Sequence, residues 1–200
     1  LTSLNIQNGN NSNLIYFAAN NNANGLCVKV DDVGTMLNDW PNAIDVGSNY
    51  SVTCGPCTVF IPDANFKSAL VNNPTINTNG NSEIECSEAI AYTSFINVSN
   101  SNISDLTGIE AFTGITMLNC SVNQLTDLDL STNTTLTNLN CTGNNISNLN
   151  ISNCLNLVQL FCSVNQITSL DLSNHFYLEQ ILCNENALTS LNIQNGFNDI

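Results

Sequence analysis

Two stretches and one side chain carry the residue types from which chemistry could be built. Cys54-Gly-Pro-Cys57 has the spacing that, at the strand-to-helix turn of a βαβ unit, produces a nucleophilic low-pKa thiol. No βαβ pattern surrounds it, and the flanking SVT and TVF segments read as linker, so redox catalysis is not expected. NTNGNSEIECSE, Asn77 to Glu88, fits a twelve-residue calcium loop. Asn77, Asn79, Asn81, Glu85 and Glu88 fall at ligand places, with Glu83 contributing its carbonyl. Three of those places hold a neutral amide and Ser82 replaces the turn glycine, so the expectation is a structural loop with at most a weak calcium site. His175, the one histidine, recurs in register with Asn133, Cys154 and Gly196. It reads as a solvent-facing turn residue, Cys154 reads as an odd thiol, and no nucleophilic triad can be assembled.

The elements that must position these residues are written four times between Ile115 and Asn198. ITMLNCSVNQLTDLDLSTNTT is followed by LTNLNCTGNNISNLNISNCLN, LVQLFCSVNQITSLDLSNHFY and LEQILCNENALTSLNIQNGFN. Cys120, Cys141, Cys162 and Cys183 lie 21 residues apart, as do Asn123, Asn144, Asn165 and Asn186. L-x-x-L-x-[L/C]-x-x-N-x-L at that period is the written form of a leucine-rich repeat solenoid. Ile115, Leu118, Cys120, Leu125, Leu128 and Leu130 are the apolar positions of the first copy. Met117 to Ser121 alternates as a short strand, and Leu128 and Leu130 repeat the alternation across the coil. Burying six side chains does not offset the ordering of a whole coil, so coils must stack and share one interior. The cysteine column sits where such repeats have leucine and reads as small buried hydrophobes with inert thiols. The asparagine column reads as the partner of backbone groups left inside by each sharp turn.

Composition closes off other classes. Against 16 acidic residues there are 2 basic ones, Lys29 and Lys67, giving a net charge of −14. Without arginine and nearly without lysine, nucleic acid and anionic membrane surfaces are excluded as partners. No apolar run approaches the ~18 residues of a membrane span. About a fifth of the residues are asparagine, so the surface is polar chiefly through amides. LTSLNIQNG occurs at both 1–9 and 188–196, an offset of 187 residues. With neither an initiator methionine nor a signal peptide, this reads as a window from a longer protein in which a unit of that size recurs.

In chain order, residues 1–57 read as the last turns and closing cap of a preceding block. Leu14, Phe17, Ala19 and Asn22 keep repeat spacing, Leu26 to Val30 form a short strand, and a cap containing Trp40 follows. Residues 58–94 read as an opening cap. Asp63 caps a short helix with Phe66, Leu70 and Val71 on its apolar side, and EAIAYTSF forms a second helix. Residues 95–200 are the repeat block, entered by a degenerate coil in which Val98 takes the cysteine place and Ser101 the asparagine place. Cys27, Cys54, Cys57 and Cys86 lie outside the column. Caps have little core of their own, so these four are the candidate disulfides; Cys27–Cys54 is the first choice and Cys57–Cys86 the next, among three possible pairings.

ISDLTGIEAFTGITMLNCSVNQL resembles the internalin repeat, and IPDANFKSAL with NTNGNSEIECSEA resembles the EF-hand-derived caps that precede such repeats. LDLSTNTTLTNLNC and the closing cap CVKVDD…NYSVTC resemble secreted Bacteroidota surface proteins. The resemblance implies a β-rich, right-handed leucine-rich repeat coil with 21–22-residue repeats and small α/β caps. It also implies an extracellular or cell-surface location and a non-catalytic adhesion or ligand-binding role; no cofactor is expected beyond the weak calcium site.

The face that would bind is the concave strand face. Its central column reads Asn119, Asn140, Phe161 and Leu182. Met117, Asn138, Gln159 and Gln180 lie on one flank, and Val122, Gly143, Val164 and Glu185 on the other. Phe161, Val164 and Leu182 form an apolar patch of the kind that marks contact surfaces. The partner expected there is a protein or glycan surface, or neighbouring copies of the chain; the alternative is a structural stalk or filament segment with no specific small ligand.

Overall fold

The computed structural model describes residues 57–194 and, before them, the backbone of three short strands, β1 (Ser3–Asn5), β2 (Cys27–Lys29) and β3 (Asn49–Ser51). The chain divides into two compact units, residues 1–60 with 85–87, and residues 61–84 with 88–200.

In the first unit the strands form a parallel sheet in the order β1-β2-β3. Leu4 is paired with Val28 and Val28 with Tyr50. Thr58 bridges Glu85, the Cys86 N–H donates to the Cys57 carbonyl at 2.7 Å, and a disulfide joins Cys57 to Cys86 across 29 residues. Cys57 is therefore bonded outside the Cys54-Gly-Pro-Cys57 motif. The expected strand over 26–30 appears as β2. The expectations on Leu14, Phe17, Ala19, Asn22, Trp40 and a Cys27–Cys54 bond lie outside the described residues.

The second unit begins with helix α1 (Ala64–Val71). Asp63 caps it: Oδ1 accepts the N–H groups of Asn65 and Phe66 at 2.9 and 3.0 Å. Phe66 and Leu70 face inward. Helix α2 (Cys86–Ala91) begins inside the 77–88 loop and ends before Tyr92, so only the first half of EAIAYTSF is helical and Phe95 lies in a strand.

From residue 95 each coil contributes a first strand and, from the next coil on, a second one. The first strands are β4 (Phe95–Asn97), β5 (Met117–Asn119), β7 (Asn138–Asn140), β9 (Gln159–Phe161) and β11 (Gln180–Leu182). They form one parallel sheet in which Ile96, Leu118, Leu139, Leu160 and Ile181 are in register. The second strands pair as β6 (Asp127–Asp129) with β8 (Asn148–Asn150), and β10 (Ser169–Asp171) with β12 (Ser190–Asn192). The middle residue of each first strand points inward, since a strand's side chains alternate. The interior is a stack of like on like: Leu118, Leu139 and Leu160 form one column, and Leu125, Ile146 and Ile167 another. At its cap end Phe112, fully buried after the 3-10 turn Ile109–Ala111, meets the Tyr92 ring edge-on at 6.5 Å. This is a leucine-rich repeat solenoid of about five turns with about 21 residues each.

One expectation is overturned. His175 is not solvent-facing; it is 2% exposed, and Asn133 and Cys154 at the same repeat position are fully buried. The turn after each second strand folds back against the preceding coil, and its residue meets that coil's carbonyls. Asn133 Nδ2 donates to Ile109 and Phe112 oxygens, both at 3.0 Å. The Cys154 thiol lies 3.3 Å from the Leu130 carbonyl, and His175 Nε2 lies 3.2 Å from that of Ile151.

Candidate functional site

The inner wall is held by the asparagine column. Asn144 Nδ2 donates to the Cys120 and Cys141 carbonyls at 3.1 and 3.0 Å, and its Oδ1 accepts the Leu125 N–H. Asn165 repeats this on Cys141, Cys162 and Ile146, and Asn186 on Cys162, Cys183 and Ile167. Asn123 does the same with Val98 and Cys120, its Oδ1 serving Ser101 and Ile103. Each amide thus ties its own coil to the one before. Cys120, Cys141 and Cys162 are fully buried between these ties and Cys183 is half-buried. Burial pushes the Cys120 and Cys162 thiols up to about 12 and the Cys141 thiol well above its ordinary value, so none is a nucleophile near neutral pH.

The turn that delivers each asparagine passes through the left-handed region. Val122, Gly143, Val164 and Glu185 have φ of 55°, 72°, 55° and 53°. For a β-branched side chain that conformation is strained by ~1–3 kcal/mol. It is enforced by the neighbouring coil, whose Thr142, Ser163 and Asn184 carbonyls accept the N–H groups of Val122, Gly143 and Val164. The strain leaves Val122 57% and Val164 44% exposed.

On the outward face of the five-stranded sheet Met117, Gln180, Leu182 and Glu185 are exposed, whereas Asn119, Asn138, Asn140, Gln159 and Phe161 are half-buried. Asn138 Nδ2 donates to Gln159 Oε1, whose Nε2 donates to Gln180 Oε1 at 2.8 Å, a ladder running across three coils. Asn119 Oδ1 accepts the Ser121 N–H and hydroxyl, and Asn140 Oδ1 the Thr142 N–H. These amide oxygens are already engaged in strand-exit turns. The least committed apolar side chains of the face are Val122 and Val164 on its flank and Leu182 in its central column; strand alternation identifies Leu182, whereas the two valines lie past the strand ends. The left-handed backbone behind the two valines has no sequence signature beyond Gly143 at the same place.

The 77–88 loop is organised around its own amides. Asn77 Nδ2 donates to the carbonyls of Val71 and Asn81, and its Oδ1 accepts the Gly80 N–H. Asn79 Oδ1 accepts from Asn81, and Asn81 Oδ1 from Glu83. Glu88 Oε1 takes the N–H groups of Thr78 and Asn79 and the Thr78 hydroxyl, while the Glu83 carboxylate holds Lys67 Nζ at 2.6 and 2.7 Å. At the ligand places Asn77 Oδ1, Asn79 Oδ1, Asn81 Oδ1 and Glu88 Oε1 thus accept N–H groups of the loop itself, and Lys67 holds the Glu83 carboxylate. Among the described residues no three His, Cys, Asp or Glu side chains come together as a metal site. Beside β6 a recess lined by Asp105, Glu110, Asp127 and Asp129 is acidic. Three of its carboxylates accept backbone N–H groups of neighbouring turns, Asp105 from Thr107, Glu110 from Gly108 and Asp129 from Ser131.

No family model matches the chain. Over 47 residues it is 49% identical to Internalin J of Listeria monocytogenes serotype 4b (strain F2365), a stretch covering 24% of this chain and 5% of that protein. The functional domain of InlJ from Listeria monocytogenes, described as including a cysteine ladder, superposes with a TM-score of 0.59 at 36% identity. That match covers 66% of this chain and 29% of the other. The repeat block is internalin-like. An internalin (InlF) from strain 4b F2365 shares the fold at a TM-score of 0.50 and 21% identity, over 70% of this chain and 53% of its own. The chain spans about a twentieth of the curated relative and under a third of the InlJ domain. No described helix is long and apolar enough to cross a membrane.

Proposed function

We propose that the internalin-like block is an extracellular, non-catalytic module that binds a protein partner through the outward face of β11-β9-β7-β5-β4. The observations that support this are the exposed Val122 and Val164, held out by a strained backbone, and the exposed Leu182 of the central column, beside amides already bonded to one another. Such a surface suits the apolar centre of a protein contact better than a sugar, whose hydroxyls need free donors and acceptors. Adhesion at a cell surface is the biological form of this reading.

The test is a screen of the full chain against immobilised surface proteins and glycans. A protein ligand found there should lose at least about tenfold in affinity on Val164→Ala with Leu182→Ala, at an unchanged circular dichroism spectrum. Undiminished binding by that variant, or binding to glycans alone, contradicts the proposal.

A further inference from the structure

The last described coil leaves its interior uncovered. Leu191 is 44% exposed where its predecessor Leu170 is 5%, and Ile193 is 44% exposed where Leu172 is 0%. Ile181 and Cys183, whose predecessors Leu160 and Cys162 are fully buried, are half-buried. On one side β12 is paired with β10, Leu191 against Leu170; its other edge carries no strand among the described residues. A bare apolar edge of this kind is a template for a further strand.

The residues that would pair there are encoded in the chain itself. β12 lies in LTSLNIQNG at 188–196, and β1 lies in the same nine letters at 1–9. As β1, the triplet Ser-Leu-Asn pairs in parallel with β2, Ser3 against Cys27, Leu4 against Val28 and Asn5 against Lys29. As β12, it pairs in parallel with β10. One sequence thus shows a partner on each of two sides in its two occurrences.

We infer that β12 is closed by β2 and β3 of a second copy of this chain, in the register β1 shows, so that the order β10-β12-β2-β3 continues across the junction of two copies. The merged ladder places Leu170, Leu191, Val28 and Tyr50 at one register position, an apolar column throughout. Asp171, Asn192, Lys29 and Ser51 form the next, which sets one of the two lysines two strands from a carboxylate. Residues 10–57 then act as the closing cap of the block that precedes them in an array of units offset by 187 residues. The inference is independent of what the outward face binds.

The experiment joins residues 1–196 directly to residues 10–200 of a second copy, so that LTSLNIQNG occurs once between them, and follows amide hydrogen exchange at low micromolar concentration. Exchange within 188–194 of the first copy should slow at least about tenfold relative to the single chain. Val28→Pro in the second copy, which removes a strand N–H, should restore the single-chain rates while residues 95–186 stay protected. Unchanged exchange at 188–194 in the joined chain overturns the inference, as does protection that survives Val28→Pro.

Discussion

At the scale of the residue, amides carry this fold where charges are scarce. Asn144 satisfies two carbonyls and one N–H at a depth water does not reach. Asn144→Ala should lower the unfolding free energy by ~1–3 kcal/mol in urea titration, because the alanine leaves those groups unpaired. An unchanged midpoint would remove Asn144 from the structural role. The asparagine and cysteine columns were legible from the 21-residue spacing, which fixes which side chains share a wall. His175 was misjudged for a physical reason. Turn positions usually face water, but here Asn133, Cys154 and His175 share a place at which the turn folds onto the preceding coil's carbonyls. The mixture of amide, thiol and imidazole hides the common task of meeting a carbonyl.

At the scale of the element, Asp63 joins helix α1 to the first coil. Its Oδ1 caps the helix while Oδ2 accepts the Ser104 N–H and hydroxyl and the Asp105 N–H. Burial alone would raise its pKa, but the hydrogen bonds from Phe66, Ser104 and Asn65 outweigh it and hold the carboxyl below its ordinary 3.8. The charged form is therefore favoured by folding. Its stabilisation is complete above the unfolded value and is lost as pH falls through the lower, folded one. Asp63→Asn should lose stability at neutral pH, within the ~0.5–2 kcal/mol range of helix caps, and flatten the acid limb of the stability curve below about pH 4. An acid limb identical to that of the parent would show that Asp63 is not the titrating contact. The 77–88 loop makes the opposite kind of prediction. With loop N–H groups on the side-chain oxygens of Asn77, Asn79, Asn81 and Glu88, calcium up to millimolar concentration should leave the melting temperature unchanged; a rise that saturates with calcium would mean those contacts yield to the ion. The first cap helix was readable from Asp63 and its apolar spacing; the second was readable only in part, since of EAIAYTSF only Glu88 to Ala91 are helical and Phe95 opens β4. Twelve-residue ligand spacing alone does not reveal whether carbonyls turn to a cation or to a side-chain amide.

At the scale of the whole molecule, coil number, strand register and the shared interior all follow from one repeat read four times. The outward face was legible only in part: strand alternation identified its two strand columns, but not that Asn138, Gln159 and Gln180 spend their amides on one another. Nor did it show that Val122 and Val164 stand on left-handed backbone. Those features depend on contacts between coils, which no single repeat encodes. The two occurrences of LTSLNIQNG carry the same logic into the proposed array, in which one nonapeptide would serve both as a block's last strand and as the first strand of its cap. The thiols report on the interior most directly. Between about pH 9, the ordinary thiol value, and the values near 12 that burial imposes, an unfolded chain ionises before the folded one, so stability should be level below that window and decline within it. Alkylation of the native protein by iodoacetamide at pH 8, read by mass spectrometry, is the sharper measurement. One shared interior predicts that Cys183 is modified while Cys120, Cys141 and Cys162 stay intact until denaturant is added. Alkylation of those three in the native protein, at the pace of Cys183, would contradict it.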